Sequence, residues 1–152
     1  MARMTGQEKR AVWETLLRTV SSLMSTYEAE LEESQGMALS WYDVLVQLGV
    51  AEGGRLRMQA LADSVVLSRS GLTRLVDRIE REGLVRRDQS SEDRRSYYAT
   101  ITADGVEALR RARVVHHHCI QEHFARHLDD GELQALRRLL EKVRSGGDTS
   151  PD

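Results

Sequence analysis

Between Glu8 and Glu33 the apolar side chains fall at Val12, Leu16, Val20, Leu23, Met24, Tyr27 and Leu31. Steps of three and four predict one long amphipathic helix, which Gly36 ends. Ser40 is an N-cap candidate for a shorter helix from Trp41 to Ala51, with Val44, Leu45 and Leu48 on its apolar face. Glu52, Gly53 and Gly54 break the pattern. Arg55 to Arg57 reads as a short extended piece, and Met58 to Val65 as a helix of one or two turns. After a tight connection at Val66 and Leu67, Ser68 caps a helix expected from Arg69 to Glu82. Gly83 stands where a left-handed C-cap residue belongs. Two candidate strands, Leu84 to Asp88 and Ser96 to Ile101, flank a polar run that reads as the exposed tip of a hairpin. Thr102 opens a second long helix, expected to reach about Leu128. Asp129, with Glu132 three residues on, makes a capping-box-like start for a last helix, Asp130 to Arg144. The residues after Ser145 are expected to be disordered.

This order predicts a chain that is mainly α with a small β-hairpin wing. Two short helices followed by a hairpin make a winged helix-turn-helix, residues 40–101 of a single domain spanning 1–152. Long helices flank it at 8–35 and 103–145. Stripes of that length need more apolar surface than so small a lobe offers, so the flanking helices are read as dimerisation helices of a homodimer. Only 5% of residues are aromatic, so aliphatic side chains must supply most of the core, and the single proline favours helix. Cys119 is the only cysteine, which excludes an internal disulfide and a four-cysteine zinc site. The absence of a bilayer-length apolar stretch and of a signal-peptide core predicts a cytoplasmic protein with no membrane partner.

Net charge is −2, yet the segment from Arg55 to Arg95 is locally basic, with ten arginines against seven acids. Local charge decides phosphate contact, not the sum. On a helical wheel of Arg69 to Glu82, Leu72, Leu75, Val76 and Ile79 cluster within about 100°. Ser70, Arg74, Asp77 and Arg81 point the other way, with Thr73 and Arg78 on the flanks. Arginine bonds guanine bidentately, and serine and threonine serve bases or phosphates. A solvated arginine face is the plainer reading of this helix taken alone. Arg86, Arg87, Arg94 and Arg95, on or beside the hairpin tip, shift the balance, because a wing arginine can enter a narrow minor groove. Asp93, two residues before Arg95, is placed to brace it.

At these residues a resemblance is plain. The run RMQALADSVVLSRSGLTRLVDRIEREGLVRRDQSSEDRRSYYATITADG resembles the winged helix-turn-helix of MarR-type transcriptional regulators almost position by position. The likeness extends more loosely from about Glu8 to Val143. It implies a homodimeric, ligand-responsive repressor whose two recognition helices enter successive major grooves of a palindromic operator in double-stranded DNA. By position, Arg69, Ser70, Thr73 and Arg74 would face bases and phosphates, and Ser68 would hold the helix start against the backbone. Asp93 and Arg95 match the family's wing pair, with Arg94 beside them as a phosphate contact. Arg78 matches a family position that suits a structural salt bridge as well as DNA. Asp77 faces outward and sits badly near phosphate unless an arginine pairs with it.

The resemblance also implies a small aromatic or anionic effector, with Tyr27, Trp41, Tyr42 and His116 as candidate lining residues; core or interface packing is the competing reading of each. Relatives that sense oxidants use a cysteine near the chain start, a pattern from which Cys119 departs. His116, His117 and His118 spread too widely around a helix to grip one ion, whereas His123 and His127, four apart, share a face. Zinc response is thus a minor alternative, and no metal or cofactor is expected. Two other classes compete. A winged helix can serve as a protein-contact or architectural module. An enzyme lacks support, since the chain has no Gly-rich phosphate loop, nucleophile elbow or clustered carboxylate pair.

Overall fold

The computed structural model describes residues 3–65, 69–89 and 96–147. Its elements run α1 (Gly6–Gln35), α2 (Leu39–Val50), β1 (Arg55–Arg57), α3 (Met58–Ser64), α4 (Arg69–Arg81), β2 (Val85–Gln89), β3 (Tyr97–Ile101), α5 (Ala103–His123) and α6 (Asp130–Gly147). Contacts group them into two units, residues 1–116 and 117–152, and α5 contributes to both.

Local signals set most boundaries. Thr5 and Glu8 form a reciprocal capping box at the start of α1. Gly36, at φ 59°, ends the helix in the left-handed region that glycine enters without strain. The next helix starts earlier than Ser40 suggests. Met37 is buried, and the Ala38 carbonyl accepts from the N–H groups of Trp41 and Tyr42 at 2.9 and 3.3 Å. Ala38 is therefore the N-cap, and Ser40 lies inside the first turn. At the end of α4, Gly83 N–H donates to the Glu80 carbonyl (2.9 Å) and Leu84 N–H to the Ile79 carbonyl (3.2 Å). That pair of bonds, with Gly83 at φ 74°, is a Schellman motif.

The hairpin is part of a three-stranded antiparallel sheet of order β1-β3-β2. The extended piece Arg55–Arg57 pairs with Thr100, Ala99 and Tyr98, so β3 is the central strand. Alternation then sorts the side chains. Val85 and Ala99 are buried, while the row Arg55, Thr100, Arg86 and the row Arg57, Tyr98, Asp88 lie on the other face. The core of this unit gathers Leu31, Val44, Leu45, Leu48, Leu61, Leu72, Val76, Ile79, Val85, Ala99, Leu109 and Ala112.

Gly105 is fixed by close approach. Thr102 accepts the Gly105 N–H on its side-chain oxygen (3.0 Å), capping α5, and its own N–H donates to the Leu84 carbonyl (3.1 Å). A Cβ on Gly105 would lie 2.0 Å from the Leu84 carbonyl oxygen and 2.8 Å from Ile101 Cγ1. The Leu84 carbonyl is backbone and cannot yield cheaply. Gly105→Ala is expected to cost about 3 kcal/mol and to lower the thermal midpoint by roughly 6–12 °C. Gly6→Ala, where a Cβ meets nothing within 4 Å, is the matched control in the same melt.

In the second unit, α5 ends at His123 instead of reaching Leu128. Phe124 leaves helical backbone (φ −130°, ψ −65°), and Ala125–His127 forms a single 3-10 turn. His123 and His127 therefore do not occupy one helical face. The Asp129 and Glu132 box is present, each side chain accepting the other's N–H at 2.9 Å. Helix α6 runs on through Ser145 to Gly147, beyond the expected end at Arg144, with the Ser145 hydroxyl donating to the Glu141 carbonyl at 2.9 Å. Cys119 is buried, the ordinary place for an inert small apolar side chain.

Candidate nucleic-acid interface

Helix α4 splits its residues as its sequence predicts. Leu72, Leu75, Val76 and Ile79 are buried, whereas Ser70, Thr73, Arg74, Arg78 and Arg81 are exposed. Arg74 and Arg78 form no ion pair with a described residue. The structural salt bridge open to Arg78 is thus absent among the described residues, and both guanidiniums face solvent. Helical backbone begins at Arg69. The side chain of Arg69, and Ser68, Asp93, Arg94 and Arg95 altogether, lie outside the described side chains.

Arg87 departs from the expectation of a basic hairpin. It shares the sheet face of Val85, two residues earlier, and points at α4 instead of at solvent. Its guanidinium donates to the Thr73 carbonyl (3.1 Å) and forms a close ion pair with Asp77, with Glu80 at 3.7 Å. Its backbone N–H donates to Glu80 Oε1 at 2.9 Å. Asp77 is therefore paired with an arginine, as its outward position requires. The signal was in the chain: the alternation from Val85 puts Arg87 inside, and Thr73, Asp77 and Glu80 share one side of a helix. Arg86, on the opposite face, is tied to Asp88 at 3.1 Å, which also accepts from Thr100 at 2.7 Å. The guanidiniums of Arg55 and Arg57 lie over the Tyr98 ring at 4.9 and 5.6 Å. Six arginines of this region thus divide into Arg74 and Arg78 on α4, with no ion pair among the described residues, the inward clamp Arg87, and an outer group, Arg55, Arg57 and Arg86, engaged with Tyr98 and Asp88.

Of the residues considered for an effector, three meet. Tyr42 Oη and His116 Nδ1 are 2.6 Å apart, and the His116 ring lies tilted on Tyr27 with centroids 4.3 Å apart. Tyr27 and Tyr42 meet edge to face at 6.0 Å. Trp41 makes no ring contact with the trio. Burial pushes the Tyr42 phenol up from its ordinary value, with the neighbouring Tyr27 and the positive charge of Arg113 pulling the other way. Asp43 is exposed as a residue, but partial burial of its carboxyl raises its pKa, with the nearby His116 pulling the other way.

Comparison with known proteins decides the family. Residues 35–96 match the family model described as MarR family. AbsC, a MarR family transcriptional regulator from Streptomyces coelicolor, superposes with a TM-score of 0.83 at 30% identity, over 99% of this chain and 100% of that one. The chain belongs to the MarR family. A second regulator of this MarR group from the same organism, Sco3205, was solved in complex with DNA. It superposes with a TM-score of 0.84 at 29% identity, over 96% of this chain and 91% of that one. Among curated relatives, a putative transcriptional regulatory protein for the hcr operon of Thauera aromatica is 35% identical over 62% of this chain. The transcriptional repressor MprA of Escherichia coli is 26% identical over 74% of it. The matched segments span 56% and 64% of those two relatives' own lengths.

Proposed function

We propose that this MarR-family chain is a homodimeric, sequence-specific DNA-binding transcriptional regulator, a ligand-responsive repressor of a palindromic operator, and not an enzyme. The observation that carries the reading is the exposed face of α4, where Ser70, Thr73, Arg74 and Arg78 stand together over a helix whose other face is buried. The DNA complex of Sco3205 supports it by similarity. Arg69, Ser70, Thr73 and Arg74 contact bases and phosphates in the major groove, Ser68 and Arg78 hold the backbone, and Asp93, Arg94 and Arg95 form the minor-groove wing. Residues 40–101 supply the DNA-binding lobe, and helices within 8–35 and 103–145 supply the dimer. No helix among the described residues is long and apolar enough to cross a membrane, which agrees with action on cytoplasmic DNA.

Selection of duplexes from a random pool, then gel shifts at fixed salt against scrambled DNA, tests this. A preference of about 10³ or more with a palindromic consensus supports the regulator. A ratio near unity identifies an architectural binder, and no shift with any duplex leaves the winged helix as a protein-contact module.

The effector is a small aromatic anion that enters beside Tyr27, Tyr42 and His116 and favours a lobe spacing unsuited to the operator. Benzoate in the millimolar range is expected to weaken binding to the selected duplex. Tyr42→Phe, which removes the 2.6 Å contact to His116, should blunt that response while leaving ligand-free affinity in place. Equal benzoate responses in both proteins would remove these residues from the effector site.

A further inference from the structure

We propose that Arg87 is a positioning residue of the DNA interface: it cancels two carboxylates on the recognition helix and locks the first wing strand to that helix. This rests on α4 being the DNA-reading helix. Thr73, Asp77 and Glu80 follow one another along α4 at steps of four and three, so they form one line down its side. Arg87 reaches all three: the Thr73 carbonyl at 3.1 Å, the Asp77 carboxylate in a close ion pair, and Glu80 at 3.7 Å from its Nε. Its own backbone N–H closes the loop onto Glu80 at 2.9 Å. The partner position across the sheet is Ala99, fully buried and too small to compete for the guanidinium. The Arg87 side chain retains 25% exposure, so these ion pairs are shielded more than surface pairs but are still within reach of solvent.

Two consequences follow for DNA. Asp77 is flanked in sequence by Arg78 and stands one turn from Arg74, the cations assigned to DNA. Without Arg87, two uncompensated carboxylates would stand beside those cations and repel phosphate. The second consequence is angular. β2 is followed in sequence by residues 90–95, to which the DNA reading assigns the minor-groove arginine, so the pitch of β2 on α4 sets where that segment begins relative to the reading helix. Nη2 alone makes both hydrogen bonds, to the Thr73 carbonyl and to Asp77, while Nε lies 3.7 Å from Glu80. The breadth of the guanidinium lets it span both turns of helix at once, which a compact lysine ammonium does not.

The experiment compares Arg87→Met, Arg87→Lys, the triple variant Arg87→Met with Asp77→Asn and Glu80→Gln, and Arg74→Ala. Each is measured for thermal midpoint and for affinity to selected and scrambled duplexes over a salt series. Arg87→Met is expected to lose about tenfold or more on both duplexes. The triple variant should regain scrambled-duplex affinity, because the repelling charges are gone, yet keep a specificity ratio reduced by about fivefold or more. Arg87→Lys should behave like the triple variant. A folded Arg87→Met protein that binds both duplexes within about twofold of the parent overturns the proposal. Should Arg87→Met fail to fold, Arg87→Lys carries the test: a reduced ratio with unchanged scrambled affinity supports it, and an unchanged ratio overturns it. Arg74→Ala keeps the two claims apart. If it loses binding while the Arg87 variants do not, only the positioning role fails. If it too binds like the parent, α4 is not the reading helix.

Discussion

Replacing Arg74 with alanine should weaken binding to the selected duplex by a factor of about 5–150, equivalent to roughly 1–3 kcal/mol for one lost specific contact. Arg74 is exposed on α4 and forms no ion pair with a described residue. Its removal therefore breaks no ion pair among the described residues, and the thermal midpoint should stay where it is. The salt series separates its two possible duties. A phosphate contact takes a counterion release with it, so the slope of log affinity against log salt falls by about 0.9 and all sequences weaken alike. A base contact leaves the slope in place and relaxes selectivity at one position of the half-site. Arg86→Ala is the comparison, since Arg86 is tied to Asp88 on the sheet's other face. It should change affinity by less than about twofold. If the two variants weaken binding equally, diffuse charge rather than the α4 face does the work.

Which parts of this molecule were legible in its sequence follows from the range of the forces involved. Gly36, Gly83 and the Asp129–Glu132 box mark boundaries because each acts within a turn or two of its own position, and all three stand where the pattern puts them. The amphipathic split of α4 is equally local. Ser40 is an N-cap residue type that lies inside the first turn, because Met37 is buried and the Ala38 carbonyl takes the first helical bonds, so the helix starts sooner. Arg55–Arg57 is extended as its sequence reads, but three residues carry no alternating pattern and the partner β3 lies more than forty residues on, so its place in the sheet is not legible. The end of α5 at Phe124 carries no glycine or proline, the usual local stop signs, and with it went the shared face of His123 and His127. The outward position of Asp77 marks it in the sequence as needing an arginine. Choosing Arg87 over its neighbour Arg86 required the inward phase of β2, which Val85 supplies once the strand is known to pack on α4.

Glutamate at both Trp13 and Val20 should turn the protein into a monomer in sedimentation. It should also lower affinity for a full palindromic duplex by a factor of about 10²–10⁴, the loss expected when a second binding event ceases to be intramolecular. Trp13, Leu17, Val20, Met24, Tyr27 and Leu31 lie within roughly 80° of one another around α1. Along that single stripe Tyr27 and Leu31 are buried, at 6% and 0% exposure, while Trp13, Leu17, Val20 and Met24 keep between 44% and 57%. One end of the stripe is packed and the other is open, and an open run of four large apolar side chains on a helix is costly in water unless something covers it. A second copy of the same helix presents the same run, which a two-fold interface requires. The second unit carries its own uncovered apolar positions at Leu139, Leu140 and Val143 on α6, beside a groove of about 430 Å³ lined by Phe124, Leu133 and Leu136. Because Trp13 and Val20 are solvent-facing within the chain, the glutamates should leave the 1–116 unit folded, with affinity for a single half-site unchanged. A dimer that survives both substitutions would assign this stripe to some other partner, and the palindrome would then need a different source of symmetry.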